Sequence, residues 1–327
     1  MAVISYIDAV TQALREEMQR DERVFVLGED VGVRGGVFRA TDGLIDTFGP
    51  ERVLDTPLTE SAIAGVSIGA SVYGKRPVAE MQFADFILPA VNQIISEAAK
   101  MRYRSNNAWN CPLVIRAPYG GGVHGALYHS QSVEKIFTGV PGLKIVMPST
   151  PYDVKGLLKS SIRDEDPVLF FEHKRCYRLI KGEVPEEDYT VPIGKAEVKR
   201  EGTDVTVISY GLTLHFAQKA AEELEKEGIS VHILDLRTLV PLDKEAILEA
   251  VAKTGKGLII HEDNVTGGFG GEISAVIAEE AFFELDAPVR RLCGPDVPSM
   301  PYSPSLEKEF MLNPEKVTNA IRDLAEF

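Results

Sequence analysis

The chain has 327 residues, enough to bury a large core and to favour two domains over one. Its 35 Lys and Arg against 49 Asp and Glu leave a net charge of −14, which argues against nucleic-acid binding through a basic surface and indicates a soluble protein. No apolar run approaches the roughly twenty residues of a membrane span. The start, Met1 to Asp8, lacks a basic region before an apolar one, and three scattered cysteines, Cys111, Cys176 and Cys293, read as core residues of an unexported, cytoplasmic protein.

Tyr6, Val10, Ala13, Leu14 and Met18 recur at helical spacing, and Val24-Phe25-Val26-Leu27 predicts a strand leading into Gly28-Glu29-Asp30. Those acids fall at a strand's carboxyl end. Thr59 is expected to cap a helix that Glu60 begins, where an acid suits the positive helix end. Gly65 and Gly69 in that helix each cost roughly 1 kcal/mol relative to Ala, which implies that another backbone packs close to their face. Ile87, Leu88, Val91, Ile94, Ile95, Ala98 and Met101 predict a mostly buried helix that ends near Arg102 and Arg104.

Leu113-Val114-Ile115 reads as a buried strand. Beyond its carboxyl end, where ligands bind in open α/β sheets, residues 119–132 gather two of the six histidines, His124 and His129, among glycines that permit close backbone approach. Strands are predicted at 144–147 and 168–171. Residues 181–188 are then charged and broken by Gly and Pro, so the first domain is expected to span 1–182, a linker 183–195 and a second domain 196–327. Beyond the linker, strands at 205–208, 231–234 and 258–260 alternate with helices at 215–227, 244–254, from about Gly271, and at 314–325. The pattern predicts an α/β protein of two doubly wound parallel-sheet domains. Gly267-Gly268-Phe269-Gly270-Gly271-Glu272 lacks the spacing and the lysine of a phosphate loop, so tight packing, expected at a dimer contact, accounts for its glycines.

Five motifs run in order along essentially the whole chain: Leu27-Gly28-Glu29-Asp30-Val31-Gly32, residues 55–60, Gln82-Phe83-Ala84-Asp85-Phe86, residues 124–132, and Met147-Pro148-Ser149-Thr150-Pro151. Together they resemble the β subunits of thiamine-dependent 2-oxoacid dehydrogenases, and among these the branched-chain enzymes. The resemblance implies a transketolase-like pyrimidine-binding domain followed by a transketolase C-terminal-like domain. It also implies a role for each matched position. Glu60 would bond the aminopyrimidine ring of thiamine diphosphate and promote its imino tautomer, Phe86 would stack on that ring, and Glu29 would hold its edge. His129 would move protons and help pass the acyl group to a lipoyl arm, with His124 and Tyr128 on the substrate loop. The Leu113 carbonyl and Asp164 would hold K⁺.

The chain contains no Gly-Asp-Gly, the superfamily's Mg²⁺ motif. The resemblance therefore implies an α subunit that supplies the Mg²⁺ and diphosphate ligands, in an α2β2 assembly with the cofactor at the α/β interface. The activity implied is decarboxylation of branched-chain 2-oxo acids and transfer of the acyl group to the lipoyl group of an acyltransferase core, with no nucleic-acid or membrane partner. Two alternatives stay open: a pyruvate or acetoin dehydrogenase β subunit, and a noncatalytic scaffold whose second domain docks the acyltransferase.

Overall fold

The computed structural model describes all residues, Met1–Phe327, and divides them into two units. The first comprises residues 1–119 and 136–193, the second 120–135 and 194–327. This division departs from the expected 1–182 and 196–327 in two places. The histidine loop leaves the first unit, because its hydrogen bonds run to the second. Lys181–Val184, expected at the start of the break, is a strand that pairs antiparallel with Ala2–Ser5. A pairing so distant in sequence leaves no trace in local composition.

In the first unit six parallel strands lie side by side in the order Lys144–Val146, Val168–His173, Val114–Tyr119, Arg76–Glu80, Val24–Gly28, Val53–Asp55. Every residue of Arg76–Glu80, Val114–Tyr119 and Val168–His173 is buried, the mark of strands covered on both faces. The helix Tyr6–Arg20 begins with a capping box between Ser5 and Asp8 and packs on the helix Pro151–Arg163, whose buried Lys155 and Lys159 each place Nζ 2.7 Å from Glu16. From Val24–Gly28 the chain adds Val53–Asp55 on one side and then Arg76–Glu80 on the other. The carboxyl end of Val24–Gly28 is thus a topological switch point, the place where such sheets bind ligands.

Residues 84–104 correct the expected regular helix. The chain runs through a 3₁₀ segment Ala84–Ala90 containing Pro89, a π segment Gln93–Glu97, a 3₁₀ turn Ala98–Lys100 and one α turn, Met101–Arg104. Pro89 removes a backbone donor, and the π segment shifts the register of the apolar face, so Ile87, Ile94, Ala98 and Met101 are buried while Leu88 is 52% exposed.

The second unit has the strand order Arg290–Gly294, Gly257–Asn264, Val205–Ser209, Val231–Asp235, Glu197–Arg200. Four strands are parallel, but the edge strand Glu197–Arg200 is antiparallel, so the sheet is mixed rather than wholly parallel. Helices Leu212–Leu224, Lys244–Thr254, Gly270–Glu280 and Pro314–Ala325 accompany it, the last capped by the Asn313 side chain on the Lys316 N–H with proline at its start. Gly268 and Gly270 lie against the His261 ring, where a Cβ on Gly270 would come within 2.8 Å of Nε2. Close approach of helix to strand inside this chain accounts for Gly268 and Gly270, whereas Gly267 meets nothing within 4 Å and Gly271 only Arg291 at 3.6 Å. Cys111 and Cys176 are buried, whereas Cys293 is only partly so and stands 3.2 Å from His261 Nε2. No helix is long and apolar enough to cross a membrane.

Candidate functional site

Three motifs meet at the carboxyl edge of the first unit's sheet because their strands are neighbours: Gly28 is in register with both Asp55 and Glu80. The turn after Gly28 is held by Asp55, whose carboxylate accepts the Gly32 N–H at 2.6 Å and the Val33 N–H at 3.3 Å. A Cβ on Gly32 would strike that carboxylate, so the glycine permits the close approach. The Thr56 N–H donates to the Gly28 carbonyl at 2.9 Å. The helix Glu60–Val72 then starts at Glu60 as expected, although the Thr59 side chain makes no capping hydrogen bond.

Glu29 and Glu60 are brought together. Both are buried, and burial followed by the Glu60 charge pushes the Glu29 carboxyl above its ordinary value, against a hydrogen bond from the Thr59 backbone. Glu29 Oε1 is buried without a hydrogen-bond partner. Phe86 lies on the 3₁₀ segment Ala84–Ala90, edge-on to Phe83 with centroids 5.5 Å apart. That segment is tied to the Glu60 helix by Ser61 Oγ, which donates to the Pro89 carbonyl at 2.6 Å. Gly65 and Gly69 on the same helix have no atom of this chain within 4 Å of an added Cβ, so any close backbone on that face is not this chain's.

The groups named for K⁺ have partners within the chain. Asp164 receives the Lys144 ammonium at 2.6 Å on each oxygen, and the Leu113 carbonyl accepts the Val168 N–H at 2.9 Å. No group of three or more His, Cys, Asp or Glu side chains is arranged to hold a metal ion.

His124, Tyr128 and His129 gather in the second unit on residues 120–135. The loop closes through the Gly120 N–H on the Gln131 carbonyl at 3.0 Å, and the Gly121 N–H donates to Glu262 Oε1 at 2.6 Å. Tyr128 is 67% exposed at the tip, while His129 is half-buried. His124 is mostly exposed but bonded: its Nδ1 lies 2.6 Å from Glu307 Oε2. Beneath the loop, Tyr210 donates to Glu134 at 2.9 Å and Lys135 lies 3.4 Å from Asp263. A small cavity lined by Ser130, Ser132, Glu262, Asp263 and Met300 adjoins them.

Sequence reasoning missed Glu262, Asp263 and Glu307. The first two carried a usable signal, acids closing the strand Gly257–Asn264 just as Glu29 follows Val24–Gly28. Glu307, on the short helix Pro304–Phe310, carried none. In the first unit the buried pair Lys174 and Asp85, 4.0 Å apart, was also missed, although Asp85 falls inside a recognised motif.

Burial, with the charge of Asp263 next, pushes the Glu134 carboxyl up to about 8. A carboxyl raised in the folded state keeps its proton where the unfolded chain has released it. Stability therefore falls as pH climbs from the ordinary glutamate range toward 8. Glu134→Gln is expected to flatten that fall, raising the thermal midpoint near pH 8 by on the order of a few degrees while changing it little near pH 5, read by calorimetry. An unchanged slope would place the proton elsewhere.

Residues 2–180 match the transketolase pyrimidine-binding domain and residues 194–317 the transketolase C-terminal domain. A split-gene transketolase, described as an inactive β4 tetramer, superposes with a TM-score of 0.80 at 26% identity, covering 99% of this chain and 98% of that one. The chain belongs to the transketolase-like family of 2-oxoacid dehydrogenase β subunits, components of an enzyme complex. Within it, the chain is 71% identical to 2-oxoisovalerate dehydrogenase subunit beta of Bacillus subtilis, over all 327 residues and 100% of both proteins. Identity is 50% to the mitochondrial 2-oxoisovalerate dehydrogenase subunit beta 2 of Arabidopsis thaliana, over 98% of this chain and 88% of that one. It is 48% to the pyruvate dehydrogenase E1 component subunit beta of Bacillus subtilis, again over 100% of both.

Proposed function

We propose that the chain is the β half of a thiamine-dependent dehydrogenase acting on branched-chain 2-oxo acids, completed by an α partner and delivering its acyl group to a lipoyl arm on an acyltransferase core. The observation that carries the reading is the Glu29 and Glu60 pair at the switch point of a pyrimidine-binding domain. A buried carboxyl with one oxygen unpartnered, beside a second carboxyl, suits the donor and acceptor edge of an aminopyrimidine. Thiamine diphosphate, when bound, supplies the electron sink for the pair left on the keto carbon as CO₂ departs.

The chain's own residues supply proton handling and orientation. Glu60 exchanges a proton with a ring nitrogen through its carboxyl oxygen, Glu29 fixes the ring's edge, and Phe86 offers an apolar face. His129 gives a proton to the lipoyl sulfur as the disulfide opens. Mg²⁺ and the diphosphate fall to the α partner, for which the open Gly65 and Gly69 face, with Val66 59% exposed and Tyr73 88% exposed beside it, is the proposed seat. Substrate preference is tested by kcat/KM of the α/β complex. The value for 3-methyl-2-oxobutanoate is expected to exceed that for pyruvate by at least about tenfold, the order that one apolar pocket allows. Equal or better use of pyruvate would overturn the branched-chain assignment.

A further inference from the structure

The geometry points to Glu307 as the positioning residue of the histidine loop: by clamping His124 it fixes Gly125, against which His129 is packed. The inference rests on the reading of His129 as a proton-transfer group. Glu307 is nearly buried, and its carboxylate grips one residue twice, with Oε2 2.6 Å from His124 Nδ1 and Oε1 accepting the His124 backbone N–H at 3.3 Å. The gripped residue has a left-handed backbone, φ 55°, and so has Ala126, φ 52°. Side-chain-bearing residues in that region are strained and persist only where their surroundings hold them.

The constraint passes directly to His129. A Cβ added to Gly125 would lie 2.6 Å from the His129 carbonyl oxygen, 2.7 Å from the His129 Cβ and 2.8 Å from Ser130 Oγ. Glycine is therefore required at 125, and its backbone lies against His129. Any shift of His124 moves Gly125, and Gly125 has no free space on that side. The loop's base is pinned separately by Glu262 on the Gly121 N–H, with Met300 and Met311 packed against Gly121, so Glu307 governs the tip. The His124 ring thereby becomes a handle for the clamp, which accounts for a histidine that is well exposed yet bonded.

The test uses the thiamine diphosphate-loaded α/β complex with a 2-oxo acid and two acceptors: an isolated lipoyl domain, and an artificial one-electron oxidant that needs no protonated sulfur. Glu307→Ala is expected to cut lipoyl reduction about 100-fold, the order that misplacement of a catalytic group by an ångström produces, while leaving oxidant turnover nearly intact. Glu307→Gln keeps an oxygen for the His124 N–H and is expected to restore most of the loss. His124→Ala in the Glu307→Ala background is expected to add nothing, because the two residues act as one unit. Amide exchange across residues 120–135 should accelerate in Glu307→Ala and stay at the parent rate elsewhere. Parent-like lipoyl reduction in Glu307→Ala, or equal loss with both acceptors, would overturn the proposal. His129→Ala separates the two readings: full lipoyl reduction there would refute the catalytic assignment of His129, while exchange in Glu307→Ala still decides whether Glu307 holds the loop.

Discussion

Replacing Glu60 by Gln in the assembled α/β complex is expected to lower 2-oxo acid turnover by about 10²- to 10⁴-fold, the range that a positioned proton-transfer group supplies. The size follows from placement. Glu60 is the first residue of a thirteen-residue helix, so its carboxyl meets the positive helix end, while Glu29 presses on it from the strand end beside it. Burial, with the Glu60 charge next, raises the Glu29 carboxyl above its ordinary value. Glutamine copies the shape of Glu60 and keeps one acceptor oxygen but does not exchange a proton, so the fold and assembly should survive while chemistry stops. The measurement is turnover with 3-methyl-2-oxobutanoate, alongside cofactor binding by calorimetry, which is expected to weaken far less than turnover. Undiminished turnover in a correctly assembled complex would favour the scaffold reading, in which the α partner performs all the chemistry.

The fold and the acidic pair of the candidate site were legible because they rest on local signals. Lys244–Thr254 and Pro314–Ala325 fall where helical periodicity puts them, the second fenced by an asparagine cap and a proline. Glu29 and Glu60 stand out as candidates because each lies at an element end, where backbone groups are unpaired and chemistry collects. What stayed hidden depends on pairings across the chain. The strand Lys181–Val184 is polar enough to pass for a linker until Ala2–Ser5 supplies its partner. Residues 84–104 follow a helical apolar period, yet Pro89 and a π segment break the helix while much of the apolar face stays buried. The histidine loop reads as an appendage of the strand Val114–Tyr119, but its anchors, Glu262 and Glu307, come from more than 130 residues downstream. A residue whose importance lies in what it grips gives no sign in its own neighbourhood of sequence.

Arg116→Met is expected to destabilise the chain by about 3–5 kcal/mol at neutral pH, the cost of stranding buried charges. Arg116 is fully buried, with one nitrogen 2.6 Å from Glu80 and two others 2.7 Å from the oxygens of Glu172, which also accepts the Tyr177 hydroxyl at 2.6 Å. Burial raises the Glu80 carboxyl and Arg116 draws it back down, so removing the guanidinium leaves Glu80 raised further. A group raised in the folded state costs stability as pH rises through and above its unfolded value, so the variant's deficit should grow from pH ~5 to ~8 and shrink on acidification. Thermal midpoints at the two pH values read this, and adding Glu80→Gln and Glu172→Gln should recover part of the deficit. A loss below about 1 kcal/mol at both pH values would mean that water or neighbouring groups satisfy the carboxylates without Arg116. The same triad lies beside the candidate edge. Arg116 and Glu80 are in register, the Met81 N–H donates to the Arg116 carbonyl at 2.9 Å, and a Cβ on Gly28 would lie 2.7 Å from the Glu80 carbonyl. The turn bearing Glu29 and the segment bearing Phe86 leave the sheet beside Glu80, to which the Arg116 guanidinium donates at 2.6 Å, and activity in Arg116→Met is expected to fall at temperatures where the chain is still folded.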